Sequence, residues 1–233
     1  MARYIISIII PVLNEATIIK KTLGQLTQYS GIEIIVVDGG SRDNTVAIAK
    51  SSANIVKVMT AIGKGRAGQM NAGAELAQAD ILLFLHADTQ LPANFIELVS
   101  KTLKQKRIIA GAFELVIDSS GISLRGIEIL VKMRSRLLSL PYGDQALFIS
   151  KQAFIQAGGF ADLPIMEDFE FIQRVGKLGR IAIAPAAVTT SGRRWQKLGV
   201  WQTTLINQLM IAGYYLGISP AKLSKFYRSR GKR

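Results

Sequence analysis

YIISIII at residues 4–10 and EIIVV at residues 33–37 decide how this chain folds. Both runs are apolar on both faces and rich in β-branched residues. That is the pattern of strands buried inside a parallel sheet, not of strands with one wet face. Between them, residues 15–28 carry Ile18, Ile19, Leu23 and Leu26 at helical spacing. The alternation continues with a short helix over 43–50, a strand over 55–59, a helix over 66–79, a strand over 81–85 and a helix from 92 to about 104. Strand and helix in turn, joined by short loops, predict an α/β fold with a doubly wound, mainly parallel sheet flanked by helices.

The second half is less regular. A strand is expected over 108–117 and an amphipathic helix over 122–140, where Arg125, Glu128, Lys132, Arg134 and Arg136 interrupt the apolar pattern. A strand at 145–149, helices at 151–157 and 167–178, and a last strand at 180–184 follow. Residues 195–218 read as one helix around LINQLMIAGYYLGI. With no internal repeat and no Pro/Ser linker, the expected division is one domain over 1–195 and a C-terminal helical extension over 196–233 that ends in a basic tail.

Composition narrows the chemistry. Of 233 residues, 49% are apolar, enough to fill a core. The absence of cysteine excludes disulfide scaffolds, cysteine–zinc sites and thiol nucleophiles. The only histidine is His86, which excludes poly-histidine metal cages. No apolar run reaches the roughly 18 residues of a membrane span. Arg3 precedes only a short apolar run that stops at Pro11 and lacks a small-residue cleavage site, so a cytoplasmic location is expected. The net charge of +13 favours an anionic partner. Residues 222–233 hold six bases and no acid; they read either as a solvated end or as an anion-binding element.

In open α/β sheets ligands bind at the carboxyl ends of the strands. The first strand is followed by PVLNE, the second by DGGSRD and the fourth by HAD. One acid at a strand end is usually a helix cap, and Asp43 reads as one. Three such ends in consecutive units point to a common crevice. The GKGR turn at 63–66, leading into a helix, joins glycines, bases and a helix N-terminus, a combination that favours phosphate. It lacks the GxxxxGK[ST] spacing of a P-loop.

IIIPVLNE (8–15), VVDGGSRDNT (36–45), GKGRAGQMNAG (63–73) and FLHADT (84–89), in that order, resemble the family-2 glycosyltransferases of GT-A fold. GGF (158–160), MED (166–168) and RRW (193–195) are similar to the second half of that family. The compact shape also resembles a small bacterial subgroup associated with arsenosugar biosynthesis. The resemblance implies a nucleotide-sugar donor, UDP-linked, with Pro11, Asn14 and Glu15 around the nucleoside and Asp38 at the uracil edge. Gly40 permits close approach of the backbone, Gly65 and Arg66 lie beside the nucleotide, and Asn71 sits on the following helix. His86–Ala87–Asp88 stands where the family has its DxD. Asp88 is then the ligand of Mg²⁺ or Mn²⁺, and His86, in place of the first acid, meets the ribose or a phosphate. Asp168 is implied as the base of an inverting transfer, with Glu167 holding the geometry or the acceptor. Two adjacent carboxylates also repel, which raises one pKa. Arg194, beside Arg193, is implied over the leaving diphosphate and Trp195 against the sugar. The QxxRW pattern of polymerising members is not intact, which implies transfer of a single sugar.

The partners expected are therefore a nucleotide sugar and a small-molecule or lipid acceptor. Residues 205–218 are too short to span a bilayer; docking on the domain, pairing with a second subunit, and lying in a membrane interface at the inner face are the open roles. A nucleotidyltransferase would want a glycine-rich loop near the N-terminus, and residues 10–20 contain no glycine. A non-catalytic protein binding nucleic acid or an anionic membrane is the alternative motivated by charge. Aromatic residues are too sparse among the bases for a single-strand stacking platform, so no nucleic acid is expected.

Overall fold

The computed structural model describes residues 4–53, 55–119, 121–138 and 140–231, apart from the side chains of 122, 137, 138, 194 and 231. The regular first half runs β1 (Ile6–Val12), α1 (Ala16–Leu26), β2 (Ile32–Asp38), α2 (Thr45–Ser52), β3 (Val56–Thr60), α3 (Gly65–Leu76) and β4 (Ile81–Phe84). The second half continues with β5 (Thr89–Gln90), α4 (Phe95–Leu103), β6 (Ile108–Asp118), α5 (Ile122–Leu138), a 3₁₀ turn (Gly143–Gln145), β7 (Phe148–Ser150), α6 (Lys151–Gln156) and α7 (Glu167–Gly176). It closes with β8 (Arg180–Ser191), α8 (Arg193–Leu198), α9 (Val200–Tyr215) and α10 (Pro220–Gly231).

The strands form one mixed sheet in the order β3-β2-β1-β4-β7-β6-β8-β5. β3, β2, β1 and β4 are mutually parallel. β7 runs antiparallel to both β4 and β6, β8 is parallel to β6, and β5 is antiparallel to β8. Alternate residues of the apolar strands face opposite layers. Ile6, Ile8 and Ile10 pack with Ile19, Leu23 and Leu26 of α1 and with Phe95 and Val99 of α4. Ile9, Ile35 and Val37 pack with Ala67, Met70 and Ala74 of α3 and with Phe84 and Phe154. Full burial of each such large aliphatic chain contributes about 1.5–3 kcal/mol. α3 lies so close to β1 that a Cβ at Gly73 would come within 2.5 Å of Ile9 Cγ2.

At the amino ends of the strands, away from the crevice, the sheet holds one buried charge. Glu33 accepts from Ser7 Oγ at 2.5 Å, Lys57 Nζ at 2.9 Å and the Ala79 amide at 3.3 Å, and from the Gln78 amide. Burial alone would raise its pKa; the bonds from Lys57, Ser7 and Gln78 outweigh burial and lower it.

The second half departs from the sequence reading in four places. The last strand, expected over 180–184, runs to Ser191. Pro185 ends the sequence pattern, but it falls where the β6–β8 register shifts, between the pairs Ala112–Ile183 and Glu114–Ala187. An irregular stretch tolerates a residue without an N–H. Gln145 closes the 3₁₀ turn and does not begin a strand. Its buried amide donates to the Phe113 carbonyl at 2.8 Å and accepts from Ser135 Oγ at 2.9 Å. The single helix expected over 195–218 breaks at Gly199, where φ is 82°. The basic tail forms α10, with Leu223 and Ser224 buried.

Candidate active site

A cleft of about 1060 Å³ opens at the carboxyl ends of β1, β2 and β4, where the strand ends were expected to converge. One wall is made by the loops after β1 and β2. Pro11, Leu13, Glu15 and Gly39 line it. The polar groups behind this lining satisfy one another. Asn14, at φ 56°, donates its amide to Ser41 Oγ and accepts from the Arg42 amide, both at 2.8 Å. Asp38 is 3% exposed and accepts from the Gly40 amide at 3.0 Å and the Ser41 amide at 3.0 and 3.1 Å. Asp43 holds the first amides of two helices, Ala16 at 3.1 Å and Thr45 at 3.0 Å. Gln69 Nε2 donates to the carbonyls of Val12 at 2.9 Å and Val37 at 2.7 Å, pinning α3 to both strand ends.

Pro11, Glu15, Gly65, Arg66, His86, Asp88, Glu167, Asp168 and Trp195 all line the cleft. Four other residues singled out in the sequence, Asn14, Asp38, Gly40 and Asn71, stand behind the lining and shape it. Asn71 grips the backbone of Phe160, donating to its carbonyl at 2.8 Å and accepting from its amide at 2.9 Å. This clamp ties the GGF turn to α3. The side chain of Arg194 lies outside the described residues.

The centre of the cleft is charged. Arg66, at the start of α3, places Nε 2.5 Å from Glu167 Oε1 and Nη1 3.4 Å from His86 Nε2. Glu167 is 2% exposed. A buried carboxylate needs a paired cation, and Arg66 supplies it. Burial, then the Arg66 charge, push His86 down to about 4, although Asp88 and Asp168 act the other way. The imidazole is thus neutral at pH 7. Asp88 pairs with Arg193 Nη2 at 3.1 Å, and the same guanidinium lies 3.5 Å from Glu15 Oε2. Burial raises the pKa of Glu15; Arg193 opposes the shift and Asp88 adds to it.

Asp168 stands in the first turn of α7, whose entry is set by Met166 at φ 68°. Its Oδ2 accepts from the Gly143 amide at 2.8 Å and its Oδ1 from the Phe169 amide at 2.8 Å. Each oxygen keeps further acceptor capacity. The approach is close: a Cβ at Gly143 would sit 3.0 Å from Asp168 Oδ2 and 3.3 Å from His86 Nε2, so a larger residue would press both side chains aside. The 3₁₀ turn thereby brings Asp168 and His86, far apart in the chain, into one small space.

The same turn carries a carboxylate that the sequence reading passed over. Asp144 lines the cleft, and its Oδ1 is buried with no hydrogen-bond partner among the described residues. Burial pushes its pKa up to about 6; Arg134 opposes the shift, Asp168 adds to it and Arg66 opposes it. Next to it, the Arg134 guanidinium stacks 3.4 Å from the ring centre of Tyr142. The signal was PYGD at 141–144, turn residues ending on an acid between an amphipathic helix and a short strand.

The C-terminal helices complete the cleft. Asn207, Met210 and Ile211 of α9 and Ser224, Tyr227 and Arg228 of α10 line it. Met210 and Leu223 pack on Met166 and Phe169 at the start of α7. Tyr214 and Tyr215 meet the Phe169 ring edge-on at 5.5 and 5.6 Å. No group of three or more His, Cys, Asp or Glu comes together as a metal site among the described residues. Asp88 is a single carboxylate. One carboxylate fits a hard cation whose remaining ligands are phosphate oxygens and water, so the donor set suits a cation that arrives with a diphosphate.

The sheet order and the cleft at its strand ends define a GT-A-like α/β fold. Residues 7–161 match the model of glycosyl transferase family 2, and the chain belongs to that family. An uncharacterized glycosyltransferase of Rickettsia conorii is 30% identical over 194 residues, covering 76% of this chain and 32% of the relative. The chain thus spans about a third of that relative's length. Among solved structures, a mannosyltransferase from Pyrobaculum calidifontis in complex with GDP-Man and Mn²⁺ superposes with a TM-score of 0.66 at 19% identity, covering 80% of this chain and 56% of that one. Residues 1–349 of S. aureus TarS in complex with UDP-GlcNAc give 0.67 at 17% identity, covering 80% and 58%.

Proposed function

We propose that this chain transfers one sugar from a nucleoside diphosphate, UDP-linked, to an acceptor hydroxyl with inversion, and that Asp168 is the base. The observation that carries this reading is the meeting of Asp168, His86 and Asp88 in one cleft with Arg66 at its centre. In the transfer, the acceptor oxygen bonds to the anomeric carbon as the bond from that carbon to the diphosphate oxygen breaks. The acceptor proton passes to Asp168, and the bond's electron pair leaves with the nucleotide. Gly143 and Phe169 amides hold the Asp168 carboxylate in place. Neutral His86 donates or accepts a hydrogen bond without adding charge. Glu167 is a positioning residue that fixes Arg66. Arg66, with Arg193 and Arg194, offsets charge on the leaving diphosphate. Asp88 would hold a Mg²⁺ or Mn²⁺ bound with the donor, whose chemistry is to neutralise the same charge.

The donor base is read from the PVLNE and DGGS segments, of which Pro11 and Gly39 line the cleft. The acceptor is a membrane-borne hydroxyl, a reading supported by α9 and α10, which bring an uncharged apolar helix and a basic helix to the cleft. The donor and the cation are tested by thermal unfolding with UDP, GDP and ADP, with and without Mn²⁺. UDP at a hundredfold excess over its Kd should add about 2.7 kcal/mol. Asp168→Asn should keep that stabilisation and lose about 10²–10⁴-fold in sugar transfer. Equal transfer by Asp168→Asn removes the base, and stabilisation by GDP alone changes the donor.

A further inference from the structure

We infer that the outward face of α9, with the bases that bracket it, is the surface by which this chain lies on an anionic membrane. α9 carries no charge and has large apolar residues on both sides. Thr203, Ile206, Met210 and Gly213 are buried against the domain. On the other side Trp201 is 79% exposed, Leu205 60% and Leu209 46%, four residues apart, and Leu216 beyond the helix end is 81% exposed. An uncharged helix with an apolar stripe on each side is expected to have both stripes covered, and this outward stripe is open to solvent. No charged residue lies between Lys197 and Lys222; the exposed polar groups beside the stripe are the uncharged amides of Gln202 and Gln208.

The charges around the stripe choose its occupant. Exposed Lys197 precedes α9, and exposed Lys222, Lys225 and Arg230 follow it, while Arg228 faces the cleft. No aspartate or glutamate occurs after Glu170. A second copy paired through this face would set the same uncompensated bases side by side, because a two-fold contact is self-complementary. An anionic bilayer surface neutralises them while covering the apolar stripe. α9 is about 24 Å long, shorter than the roughly 30 Å hydrocarbon core, and no helix among the described residues is long and apolar enough to cross a membrane. The helix therefore lies in the plane of the interface. Its opposite side supplies Asn207, Met210 and Ile211 to the cleft. One helix diameter, about 10–12 Å, then separates the cleft from the lipid headgroups. The surface deepens the proposed function by placing the acceptor in the membrane, and rests on that reading for the acceptor alone.

The test is sedimentation of the full chain with phosphatidylcholine vesicles, with and without phosphatidylglycerol, alongside thermal unfolding with UDP. The chain should bind the anionic vesicles, release them at high salt and ignore the neutral ones. Leu205→Glu with Leu209→Glu should weaken vesicle binding by more than about tenfold, and Lys222→Glu with Lys225→Glu by about tenfold or more. Both pairs change exposed residues, so unfolding temperature and UDP stabilisation should hold. Vesicle binding unaffected by the leucine pair overturns the surface. So does a dimer in sedimentation velocity that the leucine pair dissolves, with no vesicle binding. UDP stabilisation without vesicle binding removes the membrane surface and leaves the UDP-donor reading; vesicle binding without UDP stabilisation leaves the surface and removes UDP as the donor.

Discussion

The two walls of the cleft treat their polar groups in opposite ways. The wall after β1 and β2 is closed on itself: Asn14, Asp38, Asp43 and Gln69 each satisfy a neighbouring backbone group. The wall from the second half leaves acceptors and donors open. Asp144 Oδ1 and Trp195 Nε1 are buried without partners among the described residues, and both residues line the cleft. An unpaired buried polar group costs about 1–3 kcal/mol. The first wall is thus a rigid mould, and the second holds unmet hydrogen-bonding capacity that a bound sugar or acceptor can fill.

The largest effect should come from breaking the mould at its base. Glu33→Ala leaves the buried Ser7 hydroxyl and the Gln78 amide without their acceptor, while Lys57, 41% exposed, turns to water. With the lost hydrogen bonds and the space left in the sheet it should cost about 3–5 kcal/mol in urea unfolding. If the loss falls well below 1 kcal/mol, the first half is not held by this network. The wild-type contribution has a definite sign with pH. The Glu33 pKa is lowered in the fold, so its stabilisation is present above the unfolded value of about 4.3 and is lost as pH falls through the folded value.

A middle-sized effect of opposite sign should come from the open wall. Asp144 is raised to about 6, so its ionisation opposes folding. That penalty is absent below the unfolded value of about 3.9, grows as pH rises, and is complete above about 6. Asp144→Asn should therefore stabilise the chain near neutral and alkaline pH, by at most about 3 kcal/mol, and not in acid. Unfolding curves across this range decide it; a gain that ignores pH would assign the effect to packing.

The smallest effect sharpens the contact between the walls. Arg193 links Asp88 to Glu15 from a side chain that is 52% exposed. Arg193→Gln should change unfolding by no more than about 1 kcal/mol, because exposed pairs contribute about 0.2–1 kcal/mol. With its competitor gone, Asp88 should bind Mn²⁺ in the presence of UDP more tightly, by up to about fivefold. Calorimetric titration showing unchanged Mn²⁺ affinity would detach Asp88 from the cation.

The first half was legible because its signals are local. YIISIII and EIIVV are apolar on both faces, and the helices between them repeat at three and four residues, so each element is specified by near neighbours. The HAD and DGGSRD segments were legible for the same reason, since they follow strands whose ends point one way. Pro185 misled because a break in local pattern can be absorbed by a shifted register that only the partner strand reveals. Asp144 was missed because PYGD reads as an ordinary turn until α7 is packed beside it.

The chain's own pattern of residues determined the parallel half of the sheet, the order of its helices and the crevice at its strand ends, since these follow from periodicity and from the hand and direction of βα units. Tertiary structure alone decided which carboxylates meet. Glu167 lies 2.5 Å from Arg66, 101 positions away in sequence, and Asp168 takes the amide of Gly143, 25 positions away. Such distances depend on antiparallel crossings and on how closely a glycine turn can approach a helix end. It also decided that the basic tail is a helix against the cleft. Burial of Leu223 against Phe169 and Met210, residues remote from it in sequence, holds that helix in place.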